Sequence, residues 1–215
     1  MSWRYHNSTI ILGDFNTTDL NFCSIDQNRS AVGTFGRSMP GKQHPTYHVN
    51  EIDPVQCLGY SNVVVHCGIN SIRQNCVNSH KDVKIIYDEF KSKLDLIKKL
   101  NRNCKLYVCP TLPTKRVDYN RKANLFNSFI RNDLVNTNLG VVVVDGFDSF
   151  LDHDGFLAKE LSRSKQGDTL HLNGKGIGKL AKLIKTTIFE GKHRGSRIVS
   201  NRLFSSVVSG GHDVT

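Results

Sequence analysis

The sequence has no long hydrophobic run. None of its apolar stretches approaches the roughly 20 residues that a membrane-spanning helix needs, so no membrane partner is expected. Met1–Thr9 is polar, and the apolar stretch after it stops at Leu12, short of a signal-peptide core. An intracellular protein, cytoplasmic or nuclear, is the expectation. The six cysteines (Cys23, Cys57, Cys67, Cys76, Cys104, Cys109) form no Cys-x-x-Cys pair, and the nine histidines complete no zinc pattern. Cys67 and Cys109 lie in apolar, strand-like runs, where free cysteine behaves as a small hydrophobe. Reduced, buried thiols are therefore expected, and no metal or organic cofactor is implied. There is no internal repeat.

What is present describes one globular domain. The chain has 215 residues, 38% of them hydrophobic, with a mean hydropathy of -0.34. That length is enough to bury a sizeable core. The net charge is +10 and the isoelectric point about 9.4. Basic residues cluster at Lys98, Lys99, Arg102 and Lys105, at Lys115, Arg116, Arg121 and Lys122, and again at Lys192, Arg194, Arg197 and Arg202. An excess of this size attracts polyanions in general and also serves solubility; charge alone carries no specificity.

Four short apolar runs read as strands: Thr9–Leu12, Asn62–Cys67, Lys105–Cys109 and Val141–Val144. They are nearly continuous in apolar residues, as parallel strands covered on both faces are. Helical spacing follows in Val83, Ile86, Phe90, Leu94 and Ile97, and in Ala123, Phe126, Ile130 and Leu134. A last helix, starting near Gly174, places Ile177, Leu180, Ile184 and Ile188 on one face. Strand and helix alternate, so the class is α/β with a parallel sheet. Gly33–Pro54 reads as a loop crossing the top of the sheet, and Asp145–Gly167 as a second irregular stretch. Residues 1–190 are expected to form the domain and 191–215 a basic, flexible tail.

Function in open parallel sheets gathers at the carboxyl ends of the strands. Four segments fall there: Gly13-Asp14-Phe15-Asn16, Met39-Pro40-Gly41-Lys42, Cys67-Gly68-Ile69-Asn70-Ser71 and Asp168-Thr169-Leu170-His171-Leu172-Asn173. Asp168 and His171, three apart before a helix, can set a carboxylate against an imidazole, orienting the ring and stabilising its protonated form. The plainer reading is that Asp168 or Asn173 caps the helix.

Taken together, Gly-Asp-x-Asn after the first strand, Gly-x-Asn after a later one, and Asp-x-x-His-Leu before the last helix resemble the SGNH/GDSL hydrolase family over roughly residues 9–190. The stretch Tyr60–Arg73, YSNVVVHCGINSIR, with the Pro-Gly-Lys loop, resembles in particular the SGNH-type domains encoded in invertebrate mobile elements. The resemblance implies a three-layer α/β/α sandwich, flavodoxin-like, with a parallel sheet of about five strands. It implies a catalytic His171 supported by Asp168, and an oxyanion site made of the backbone N–H of Phe15, Gly41 and Asn70. Gly33 and Gly36 compete with Gly41 for that role.

Two positions depart from the family pattern. The nucleophilic serine is replaced by Phe15, and Ser71 stands where aspartate is usual. Phenylalanine has no nucleophilic atom, so the covalent route is lost. Catalysis of about 10³–10⁴ over water can survive such a loss through the oxyanion site and binding. Ser38, Ser71 and Thr17 are candidate displaced hydroxyls. Two functions therefore stand open: an esterase-type acyl hydrolase domain, impaired or inactive, taking an ester or acyl substrate, and a non-catalytic module binding RNA or DNA through Lys115, Arg116, Arg121 and Lys122. Gly-Asp-Phe-Asn also resembles a motif of the endonuclease/exonuclease/phosphatase family. There it follows strands that supply a metal-binding glutamate, and a Ser-Asp-His signature closes the chain. Asp152-His153-Asp154 and Gly211-His212-Asp213 are poor substitutes, and that reading leaves Gly-x-Asn and Asp-x-x-His unexplained.

Overall fold

Thr9–Gly13 forms β1, and every one of its five side chains is buried. A strand apolar on both faces must lie inside a sheet covered on both sides. β1 does so in a computed structural model that describes residues 9–17, 20, 41–74 and 76–190. The remaining elements are β2 (Gly41–Pro45), β3 (Asn62–His66), α1 (Ile69–Ile72), α2 (His80–Leu100), β4 (Lys105–Val108), α3 (Val117–Asn132), β5 (Val141–Val143) and α4 (Gly174–Glu190). The sheet order is β2-β1-β3-β4-β5, and every pair is parallel.

Alternation along the strands divides the core. Ile10, Leu12, Val63, Val65, Leu106 and Val108 face α2 and α3, meeting Tyr87, Phe90, Leu94 and Phe126. Ile11, Val64 and Tyr107 face the other way, onto Ile177, Leu180 and Ile184 of α4. Each fully buried side chain of this size contributes about 1.5–3 kcal/mol relative to exposure. The result is the expected three-layer sandwich.

All four expected strands form, each within one residue of its expected end. The fifth corrects an expectation. Within Gly33–Pro54, Gly41–Pro45 is a strand rather than loop, paired with β1 from Thr9↔Gly41 to Gly13↔Pro45. Its sequence, GKQHP, has no β-branched residue and no Phe, Tyr or Trp. It lies on the sheet edge, where a terminal proline is tolerated because one side of the strand needs no donor. Residues 33–40 and the expected tail, 191–215, lie outside the described residues.

This order makes β1 the place where the winding reverses: the chain moves from β1 to β2 on one side, then crosses back to β3 on the other. Ligand crevices form at such switch points, outside the carboxyl ends of the strands. The turns after β1 and β3 leave from adjacent positions there, since Gly13 pairs with His66.

Candidate active site

Backbone needs shape the turn after β1. Asp14 N–H donates to the His66 carbonyl at 3.1 Å, and Thr17 N–H to the Asp14 carbonyl at 2.9 Å. Asp14 Oδ1 accepts the Asn16 N–H at 3.0 Å, and the Thr17 hydroxyl donates to the Asp14 carbonyl at 2.8 Å. Gly13 is required by close approach: a Cβ there would lie 2.1 Å from Thr17 Oγ1. Asp14, Asn16 and Thr17 are buried, while Phe15 is half-buried at the tip. Beneath the turn, His66 is buried with Nδ1 3.3 Å from Asp14 Oδ1.

After β3, Gly68 adopts φ 131° as the residue before α1. A side chain is excluded there both by conformation and by Phe126, 2.9 Å from a would-be Cβ. α1 then carries Asn70 and Ser71, both buried. Ser71 Oγ accepts the Val49 N–H at 3.0 Å. The serine at this position thus ties the segment after β2 to α1.

The third contribution is the loop before α4. Asp168 Oδ1 accepts the N–H of Leu170 at 3.2 Å and of His171 at 3.0 Å, and lies 2.8 Å from His171 Nδ1. Burial pushes the Asp168 carboxyl up, but the backbone N–H of His171, its ring and the Leu170 N–H outweigh this, holding it below the usual carboxylate range. An ionised Asp168 accepts, so Nδ1 carries the proton and Nε2 is left as the basic atom. Helix capping falls instead to Asn173, whose Oδ1 accepts the Gly176 N–H at 3.0 Å. The His171 side chain is 36% exposed, and its ring meets that of Phe15 at 4.2 Å between centroids, tilted by 52°.

The structure thus brings Phe15, Asp168 and His171 together, with Asn70 in α1, which follows the neighbouring strand β3. Gly41 is a correction. It pairs with Thr9 at the amino end of β2, about 13 Å of strand away from the switch point at 3.3 Å per residue. Its place in the motif order matched a loop, but the chain uses it to begin an edge strand. Thr46, Tyr47 and His48, not a glycine, follow the carboxyl end of β2. Gly33, Gly36 and Ser38 lie outside the described residues.

The basic set divides. Lys115 is drawn into the site: its N–H donates to the Thr169 carbonyl at 3.0 Å, and its Nζ to the carbonyls of Arg163 at 3.1 Å and Asp168 at 3.4 Å. Arg116 pairs with Asp118 at 2.9 Å and lies over the Tyr119 ring at 4.3 Å. Arg121 is exposed and Lys122 half-buried on α3.

Sequence reasoning missed two asparagines. Asn127 Oδ1 accepts the Thr111 N–H at 2.8 Å, and its Nδ2 donates to the Thr111 carbonyl at 2.9 Å. Asn120 does the same for Thr114, at 2.7 and 3.0 Å. They hold the loop that carries Lys115. Their signal was legible: polar residues seven apart, on the apolar stripe of Ala123, Phe126 and Ile130.

This geometry can be set beside known proteins. No protein-family model matches the chain, and no curated protein does. Solved structures do. A Streptococcus pneumonia protein described as a platelet activating factor is 19% identical, with a TM-score of 0.59 over 88% of this chain and 86% of its own. A carbohydrate esterase family 3 protein of Talaromyces cellulolyticus is 16% identical, with a TM-score of 0.52 over 85% and 96%. A GDSL-like lipase of Parabacteroides merdae is 13% identical, with a TM-score of 0.54 over 83% and 93%. The fold is that of the SGNH hydrolases. Identities this low carry the architecture alone, so the chemistry must be argued from this chain's own side chains.

Proposed function

We propose that this SGNH-fold chain is an esterase-type acyl hydrolase domain whose catalysis is impaired or absent because Phe15 occupies the nucleophile position. The observation that carries this reading is the contact of the Phe15 ring with His171, at 4.2 Å, while Asp168 holds Nδ1 of the same imidazole. In this reading His171 is the general base, Asp168 orients it, and the Phe15 backbone N–H and the Asn70 amide face the oxyanion of an ester or acyl ligand. A hydroxyl at position 15 would attack the carbonyl, passing its proton to His171. Phenylalanine supplies neither the oxygen nor the proton. Two of the three displaced candidates, those among the described residues, are engaged elsewhere: Ser71 Oγ accepts from Val49, and the Thr17 hydroxyl donates to Asp14.

The test is hydrolysis of a short p-nitrophenyl ester by the native chain, by Phe15→Ser, and by Phe15→Ser combined with His171→Ala. Activity gained by the first variant and lost in the second is the expected result. Equal inertness of the native chain and the serine variant refutes the proposal. A nucleic-acid-binding module is the second reading, favoured by the charge of +10 and by exposed Arg121 beside Lys122 on α3.

A further inference from the structure

The Gly-Asp-Phe-Asn motif contains a residue to which the proposed reaction assigns no role. Asn16 is 4% exposed, and its one amide reaches across the fold to the loop before α4. Its Oδ1 accepts the Leu172 N–H at 2.9 Å, and its Nδ2 donates to the Leu170 carbonyl at 3.4 Å. These are the two residues that flank His171. Leu170 N–H is also held by Asp168, and the His171 carbonyl accepts the Arg163 N–H at 2.9 Å. The backbone on either side of the imidazole is therefore fixed to the same turn that presents Phe15. Asn16 is itself fixed by its own N–H on Asp14 Oδ1.

The geometry points to Asn16 as a positioning residue for His171, distinct from Asn70, that sets the distance between the imidazole and side chain 15 and keeps Nδ1 on Asp168. This rests on the proposed reading of His171 as the base. The physical reason is covalent reach. A histidine ring turns about two bonds from its own Cα, so an error in the backbone at 170–172 moves the ring directly. A misplacement of about 1 Å can cost roughly 10²-fold in rate. A residue that spans more than 150 positions of sequence could also act only as a staple of the fold, so the test needs a readout that a staple does not move.

That readout is the tautomer of His171, observed through long-range proton–nitrogen NMR correlations of its ring in the native-length chain near pH 8, assigned with His171→Ala. The native chain is expected to hold the proton on Nδ1. Asn16→Leu, which keeps the branched outline but can make neither bond, is expected to shift the ring nitrogens toward the mixed tautomers of an unrestrained histidine. Asn101→Leu is the matched control. Asn101 likewise bridges two backbone sites, donating to Cys57 and Tyr60 carbonyls at 2.7 and 2.8 Å, but at the amino end of the sheet. It is expected to leave the His171 ring unchanged. If Asn16→Leu does not fold, Asn16→Asp keeps the acceptor for Leu172, loses the donor to Leu170, and should shift the ring in the same direction by less. In the Phe15→Ser background, Asn16→Leu should lower kcat about 10- to 100-fold with KM within about two-fold. A native tautomer retained in the Asn16 variants overturns the proposal. So does an equal shift in Asn101→Leu, or a kcat that holds while the tautomer moves. If Phe15→Ser itself is inert, the hydrolase reading fails, and the ring measurement alone decides the role of Asn16.

Discussion

Replacing Asn127 by leucine should destabilise the protein by about 2–4 kcal/mol without opening a cavity. Asn127 is fully buried, and its two bonds to Thr111, at 2.8 and 2.9 Å, satisfy one backbone N–H and one carbonyl. Leucine has asparagine's branched outline but bulkier methyl groups, so no cavity opens and any overpacking adds to the loss. It leaves both Thr111 groups buried without partners, at about 1–3 kcal/mol each. Added apolar burial returns part of that, at roughly 25 cal/mol per Å². For a domain of this size, about 2–4 °C of melting temperature is lost per kcal/mol. A fall of roughly 5–15 °C is therefore expected. The assay is urea unfolding followed by circular dichroism, in which the midpoint falls at constant slope. Amide exchange at Thr111 supplies a local check, because its N–H should change from protected to fast. A loss below about 0.5 kcal/mol, or continued protection of Thr111, would refute the reasoning.

Acid should weaken the fold through Asp168. Its carboxyl is held below its usual range despite burial, which opposes this, by the His171 N–H, the His171 ring and the Leu170 N–H. The unfolded chain therefore binds this proton first, at about pH 4. The stability that Asp168 contributes is present above that pH and is lost as pH falls through the folded value. Urea midpoints of the native chain should fall more steeply below about pH 4 than those of Asp168→Asn; parallel curves would contradict the assignment. Any single-stranded nucleic acid held by the basic surface should be released by salt, with a log–log slope near -0.7 per phosphate contacted. Arg116, Arg121 and Lys122 replaced together should reduce that slope, and salt-independent binding would exclude phosphate contacts as its source.

The sheet was legible where burial was two-sided. TIIL, VVV and LYV are short, nearly continuous apolar runs of the kind that covered parallel strands show, and each lies within one residue of its expected place. β2 was not legible, because GKQHP carries no strand signal of its own. Its place comes from hydrogen bonding along the free edge of β1, which is information held by the partner strand. The same cause misplaced Gly41: a motif order cannot say at which end of an unseen strand a glycine falls. Asp168 and His171 could be paired from sequence, since a spacing of three confines a carboxylate and an imidazole to one turn. Asn16 could not be joined to Leu170 and Leu172, because nothing local links positions more than 150 residues apart. Such contacts exist only once the switch point has brought the turn after β1 beside the loop before α4.

The same contacts explain why the turn after β1 can form whichever side chain stands at position 15. In Gly13-Asp14-Phe15-Asn16 three residues are committed to structure. Gly13 admits Thr17, Asp14 closes the turn and lies beside His66, and Asn16 grips the chain on both sides of His171. The bonds that close the turn come from its neighbours: the Asp14 carboxylate accepts the Asn16 N–H, and the Thr17 N–H and hydroxyl both donate to the Asp14 carbonyl. A phenyl ring there packs against the core and covers one face of His171. Serine at the same position gives up that apolar contact. Phe15→Ser is therefore expected to cost about 1–2 kcal/mol, from a half-buried aromatic side chain at 1.5–3 kcal/mol when fully buried. A serine variant that gains esterase activity should also unfold earlier in urea. If it gained activity and stability together, the phenyl ring would be straining the site rather than filling it, and the packing argument for its presence would fail.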